Sequence, residues 1–204
     1  QASVQLGWLQ PGLGADHSGW SLKGRLDKAW QLSPTDLLIG QWQAEQLQQA
    51  EVNQWLISSY AMWIHQLDKN QSLVGQLTYA HGQDLFRDQR LSLGGDTGMR
   101  AYPLYYQTGE RLALATAEYR YYSTLSIAQI FDVGYAAFAD VGRTWGSNPA
   151  LPEGTAGQSL YGVGLGIRLL SSHSSRGTMI HIDLTKALHE EGDVSGFEWR
   201  ILAK

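Results

Sequence analysis

Within the sequence SLYGVGLGIRLL, residues 159–170, positions 161–169 alternate with a strict period of two between large apolar residues and small or charged ones. A sheet in a soluble protein buries its large residues and turns polar ones to water. Here the second face carries glycine at three successive positions and ends in a charge, which indicates a crowded side where another piece of chain comes close. An apolar outside and a small or polar inside is the pattern of a β-barrel in lipid. The apolar face holds Tyr161, Val163, Leu165, Ile167 and Leu169, and the other face holds Gly162, Gly164, Gly166 and Arg168.

The same period recurs along the chain and predicts an all-β fold. We interpret it as an antiparallel transmembrane β-barrel with about ten strands in this chain. A soluble β-barrel or sandwich is the alternative. The predicted strands are 2–9, 19–30, 36–47, 54–66, 70–81, 111–122, 128–143, 159–170, 177–187 and 195–203.

The lengths of the connections also alternate. Outer-membrane barrels have short turns on the periplasmic rim and long loops on the extracellular rim. The pattern therefore predicts that the glycine-rich connection 82–109 is extracellular and the C-terminus periplasmic. The short connections are 31–35, 67–70, 123–127 and 171–176, and the mostly longer ones are 10–18, 48–53, 82–109, 145–158 and 188–194.

Composition narrows the classes of function. The chain has 204 residues, no cysteine and a net charge of −4 without a basic block, which gives no support to nucleic-acid binding. Its histidines lack the spacing of metal ligands, and no G-x-S-x-G motif marks a serine nucleophile. We interpret residues 1–204 as one outer-membrane barrel domain, either whole or a piece lacking N-terminal strands and periplasmic domains. We predict no catalytic residue, no metal and no cofactor.

The segment LGGDTGMRAYP, residues 93–103, is predicted to be neither strand nor helix but an ordered loop that packs back against the protein. Gly94, Gly95 and Gly98 are its predicted hinge. If the loop enters a narrow interior, Arg100 requires an acceptor, because an unpaired buried charge is prohibitive. Asp140 and Glu118 lie on the small and polar faces of following strands and suit a guanidinium. The alternative is that Arg100 is a solvated loop residue.

The order LGG…MRAYP, AEYR, FADVG and VGLGIR resembles the C-terminal half of the BamA/TamA superfamily, which includes two-partner secretion transporters and the bacterial surface antigen domain. The resemblance implies a loop inserted into the barrel lumen, whose arginine meets acidic residues on the next two strands. It also implies a barrel of sixteen strands, five of them after the loop. Ala101 departs from the glycine usual in the family. The matching positions are Met99, Arg100, Ala101, Tyr102, Glu118, Phe138, Asp140 and Gly142.

The resemblance implies insertion or translocation of polypeptides at the bacterial outer membrane. The implied partners are outer-membrane lipid and an unfolded client polypeptide, and the oligomeric state is left open. One alternative is a barrel that anchors or oligomerises an attached module such as a hydrolase, and another is a passive pore. The reading frame upstream of Gln1 distinguishes them. Repeated small α/β periplasmic domains would indicate the transporter, and a G-x-S-x-G hydrolase domain the anchor.

Overall fold

The computed structural model describes residues 1–13, 17–50, 52–85, 90–127, 130–146, 157–171, 179–188, 194 and 196–203. No helix in this part of the chain is long and apolar enough to cross a membrane. The described residues form twelve strands. They are β1 (Ala2–Leu9), β2 (Gly19–Gln31), β3 (Asp36–Gln49), β4 (Val52–Asp68), β5 (Gln71–Gln83), β6 (Leu91–Leu93), β7 (Gln107–Gly109), β8 (Arg111–Ile127), β9 (Phe131–Trp145), β10 (Leu160–Ser171), β11 (Met179–Ala187) and β12 (Phe197–Ala203).

Ten of these strands form one antiparallel sheet in the order β1-β2-β3-β4-β5-β8-β9-β10-β11-β12. The two short strands β6 and β7 pair only with each other, within the connection between β5 and β8. The predicted all-β class, antiparallel arrangement and strand number are confirmed. In the described residues β1 and β12 are not paired with each other, so the sheet is open and its closure into a barrel stays a prediction.

The two faces of the sheet differ in what covers them. The connection between β5 and β8 packs on one face, here called the loop face, and the opposite face is called the outer face. In β10, Leu165 on the outer face is 65% exposed, whereas Arg168 on the loop face is 1% exposed. The core is small and lies between the loop and the loop face of the sheet from β5 to β11. The alternation of 159–170 therefore separates the two faces as the sequence predicted.

All eight tryptophans lie on the outer face, because the strand registers pair each of them with residues of that face. Large apolar residues accompany them on β1, where Val4 is 76% exposed. Exposed apolar surface of this kind marks a site of contact with a membrane or with another protein. The tryptophans are Trp8, Trp20, Trp30, Trp42, Trp55, Trp63, Trp145 and Trp199.

The loop face of the first strands is polar instead. Lys23 of β2 binds Glu45 of β3, and Gln43 donates to the same carboxylate. Arg25 binds Asp27 along β2, with Nε 2.7 Å from Oδ2. A soluble protein would cover the apolar face of such a sheet with a hydrophobic core, whereas here that face is exposed.

The structure corrects two predicted connections. The connection 48–53 is shorter than predicted, because β3 ends at Gln49 and β4 begins at Val52. Ala50 makes this tight turn with a positive φ of 45°. Residues 123–127 are not a turn but part of β8, where a register shift after Tyr122 is bridged by Ser123 Oγ donating to the carbonyl oxygen of Val133. Most of 145–158, 171–176 and 188–194 lies outside the described residues.

Candidate functional site

The glycine-rich loop, residues 93–103, is more regular than the sequence predicts. Leu93 is the last residue of β6, and Gly95–Thr97 form a 3-10 turn. The hinge glycines have positive φ angles, 121° at Gly94 and 118° at Gly98. A Cβ at Gly94 would lie 2.0 Å from the carbonyl oxygen of Pro103, and one at Gly98 would lie 2.1 Å from Leu114. Only glycine therefore fits these two turns.

The tip of the loop is buried against the sheet. Met99 and Tyr102 have no exposed surface, and Ala101 is 3% exposed. The Tyr102 hydroxyl donates to the carbonyl oxygen of Tyr161 in β10 at 3.1 Å, and Tyr161 N donates back to it at 3.4 Å. Ala101 is not among the residues with positive φ, so its side chain fits without the backbone strain that glycine relieves. The loop is thus held by both packing and hydrogen bonds.

Arg100 lies between two carboxylates of neighbouring strands. Its Nε and Nη2 donate to the two carboxylate oxygens of Asp140 in β9, at 2.9 and 2.8 Å. Its Nη1 donates to Glu118 Oε2 in β8 at 2.8 Å. The guanidinium carbon lies 3.3 Å from the centre of the Phe138 ring, which adds a cation–π contact. A bidentate interaction with a carboxylate fixes both the position and the orientation of the guanidinium.

Glu118 connects Arg100 to a second group of charges. It also accepts from Arg120 Nε at 2.8 Å and from Arg168 Nη2 at 3.4 Å. Arg168 in turn binds Asp183 of β11, with both side chains 1% exposed. Three arginines are therefore matched by the three carboxylates of Asp140, Glu118 and Asp183.

The sequence pattern places Arg168 on the small and polar face of its strand, but sequence reasoning joins neither Arg168 nor Asp183 to this site. The signal that could have found them was the lone arginine that ends the glycine row of 159–170. An arginine on a crowded face requires a carboxylate within reach. Asp183, on the next strand, supplies that carboxylate.

Glycines on the loop face make room for these groups. A Cβ at Gly162 would lie 2.9 Å from the Ala101 side chain, and one at Gly164 would lie 2.4 Å from the Phe138 ring. At Gly166, a Cβ would lie 2.0 Å from Oδ1 of Asp183 and 2.4 Å from Nη1 of Arg168. In β9, a Cβ at Gly142 would lie 3.0 Å from the side chains of Leu93 and Met99. These glycines therefore leave the space on the sheet that the loop and the ion pairs occupy.

The last strand also contacts the loop. Arg200 of β12 donates to Asp96 Oδ1 at 3.1 Å and to the carbonyl oxygen of Tyr102 at 3.3 Å. Thr185 of β11 donates to the carbonyl oxygen of Arg100 at 3.3 Å. Each strand from β8 to β12 thus binds the loop or its ion-pair network through at least one side chain or backbone group.

The arrangement fastens one piece of chain to another. Its charged groups form ion pairs with one another. The described residues contain no group of three or more histidines, cysteines and carboxylates that could hold a metal. The structure brings together the eight predicted positions of the loop tip and its partners: Met99, Arg100, Ala101, Tyr102, Glu118, Phe138, Asp140 and Gly142.

The fold and the site define an antiparallel all-β domain that binds its own loop on one face and leaves the other apolar. The family model described as the Omp85 superfamily domain matches residues 17–201, and the chain belongs to the Omp85 superfamily. This bears out the resemblance to the BamA/TamA superfamily. Membership implies the bacterial outer membrane and a family of barrels for protein insertion and translocation. No curated protein matches the chain.

Proposed function

We propose that these residues form the C-terminal ten strands of a sixteen-stranded transmembrane barrel that inserts or translocates unfolded polypeptides at the bacterial outer membrane. The observation that carries the proposal is the family match over residues 17–201. Omp85 proteins act on unfolded clients in that membrane. The proposal includes no catalytic step and no cofactor.

The two faces of the sheet support the transmembrane part of the proposal. The outer face carries every tryptophan together with exposed leucine, isoleucine and valine side chains. The loop face of β2 and β3 carries Lys23, Arg25, Gln43 and Glu45. Lipid on the first face and water on the second satisfy both sets of residues. The open edges β1 and β12 fit a piece of a larger barrel, since closure removes exposed strand edges.

We further propose that the Arg100 contacts lock the loop inside the barrel and thereby set the shape of the lumen that a client meets. The support is the double anchoring of one guanidinium by Asp140 and Glu118, on two adjacent strands. Side-chain ion pairs can be broken and remade, so the loop position can respond to a client without changes in strand pairing.

A barrel that only anchors an attached module is the second candidate. The observation that favours it is the tightness of the site: Met99, Tyr102 and Leu93 are fully buried, as in a fixed structural plug. The passive pore is less consistent with the same burial, because the loop covers the loop face of β8 to β11. The two remaining candidates differ in whether release of the loop changes an activity.

The experiment reconstitutes the full-length protein in lipid vesicles and supplies a urea-denatured outer-membrane barrel protein as the client. The measured quantity is the rate at which the client becomes protease-protected. Arg100→Ala is compared with Arg25→Gln, which removes an arginine from the loop face of β2, away from the lock. We expect the first variant to slow client protection at least fivefold and the second to leave it unchanged.

Failure of the wild-type protein to accelerate client protection over empty vesicles would contradict the transport proposal and favour the anchor. Equal rates for the wild-type protein and Arg100→Ala, with the loop released in the variant, would contradict the lock alone.

A further inference from the structure

Two arginines on the outer face lie apart from the site described above. In the pairing of β8 with β9, Arg111 faces Trp145 and Ala113 faces Arg143, so the arginines are diagonal neighbours. Diagonal positions are about 7–8 Å apart, within reach of long side chains. Both are exposed. Among the described residues Arg143 has no hydrogen-bond or ion-pair partner, and Arg111 donates only to Nε2 of His81, at 3.2 Å.

Aromatic rings surround this arginine pair. Trp145 lies across from Arg111, and its ring centre is 6.4 Å from that of Tyr79. The Trp55 ring meets the His81 ring edge-on at 4.6 Å. Aromatic residues gather at the water interfaces of membrane barrels, and arginine is tolerated on a lipid-facing wall there but not at mid-depth. In the proposed membrane position of the outer face, the pair lies at the level of the lipid headgroups.

An apolar groove begins at Arg143 and continues along the outer face. It has two adjoining parts, of about 520 and 540 Å³, which share Ala61, Leu77, Ala115 and Val141. Arg143 and Tyr79 line the first part, and Trp63 lines the far end of the second. The groove exists because small residues follow one another at adjacent outer-face positions, namely Ala61, Gly75, Ala113, Ala115, Ala117 and Ala139.

We propose that this surface binds a lipid with an anionic phosphate headgroup, held by Arg111 and Arg143, with an acyl chain in the groove. The inference rests on the proposed membrane position of the outer face. Two neighbouring guanidinium groups suit the oxygens of a phosphate, and the apolar groove suits a hydrocarbon chain. Charge complementarity therefore favours an anionic lipid.

The test uses the protein purified in a neutral detergent and titrated with dilauroyl phosphatidylglycerol or dilauroyl phosphatidylcholine. These lipids have identical chains and differ in headgroup charge. Native mass spectrometry counts the lipids bound. The variants are Arg111→Gln combined with Arg143→Gln, Ala115→Leu to fill the groove, and Arg25→Gln as the matched control. Arg25 is an exposed arginine on the loop face, with its side chain 48% exposed.

We expect the wild-type protein and Arg25→Gln to bind phosphatidylglycerol at least tenfold more tightly than phosphatidylcholine. The double arginine variant should bind the two lipids equally, and Ala115→Leu should weaken the binding of both. If the double variant does not fold, Arg143→Gln alone serves the test, since Arg143 has no partner within the described protein to lose.

Equal binding of the two lipids by the wild-type protein would overturn the proposal, as would an unchanged preference in the arginine variants. A dimer that disappears in Ala115→Leu would instead assign the groove to a second copy and overturn it too. Insertion into neutral vesicles is measured separately. Failure to insert contradicts the membrane proposal and this inference together, whereas insertion without headgroup preference contradicts this inference alone.

Discussion

Arg200 of β12 donates from Nη1 to Oδ1 of Asp96 at 3.1 Å, which connects the last strand of the sheet to the loop across 104 residues of chain. Asp96 is 62% exposed on its side chain, whereas Arg200 is 15% exposed. Among the described residues β12 pairs only with β11, so its position also depends on the bonds from Arg200 to the loop. Any movement of the loop is therefore coupled to the edge of the sheet.

Replacing Arg200 by Met should loosen both partners, because it removes the bond to Asp96 and the bond to the carbonyl oxygen of Tyr102. Asp96→Asn should have a small effect, since an exposed ion pair is worth about 0–1 kcal/mol. Hydrogen exchange of β12 and of the loop measures the difference. Equal exchange in the two variants would show that Arg200 does not hold the strand.

Arg100→Ala should expose the loop to protease and lower the free energy of unfolding by about 3–5 kcal/mol, because Asp140 would be left buried without its partner. Water around the loop would reduce that figure. Asp140→Ala should have nearly the same effect, and the double variant should be little worse than either single variant. Protease cleavage and urea unfolding measure this cycle. Additive losses would show that the two side chains do not interact.

Gly164→Ala should destabilise the protein by about 1–3 kcal/mol, the usual effect of overpacking. Its Cβ would lie 2.4 Å from the Phe138 ring and 2.8 Å from the carbonyl oxygen of Leu184. Gly24→Ala is the matched control, because the nearest atom to its Cβ, the carbonyl oxygen of Ala44, is 4.0 Å away. Urea unfolding of both variants in detergent measures the difference. A Gly164→Ala variant as stable as Gly24→Ala would contradict the close packing of β10.

Leu165→Arg should lower stability in a bilayer by about 2–4 kcal/mol if this outer-face position lies near the middle of the membrane. Ser58→Arg, on the loop face of β4, is the control and should be tolerated. Urea unfolding in vesicles and the shift in gel migration of unheated samples measure folding. Full solubility of the chain without detergent would exclude the membrane interpretation of the outer face.

The faces of the strands could be predicted because they depend only on local alternation. Residues 159–170 carry that signal within one strand, whose side chains point alternately to opposite faces. For the same reason, Asp140 and Glu118 could be named as partners for Arg100, and the structure brings the three together. Neither inference required knowledge of how the strands are paired.

What could not be predicted depends on register between strands. The Arg168 contact with Asp183 requires the pairing of Gly166 with Asp183, and a slip of one residue would turn one partner to the other face. The course of β8 through 123–127 depends on Ser123 replacing a lost backbone contact to Val133, which local propensity does not encode. The bond from Arg200 to Asp96 joins residues too distant in sequence for any periodic pattern to connect.

The placement of all eight tryptophans on one face has a spectroscopic consequence. Tryptophan fluorescence in this protein therefore reports on the surroundings of the outer face alone, with no contribution from tryptophans on the loop face. In vesicles, lipids with brominated chains should quench most of the emission, while a charged water-soluble quencher confined to the loop face should quench little. The chain therefore carries its own label for membrane insertion, with no added dye.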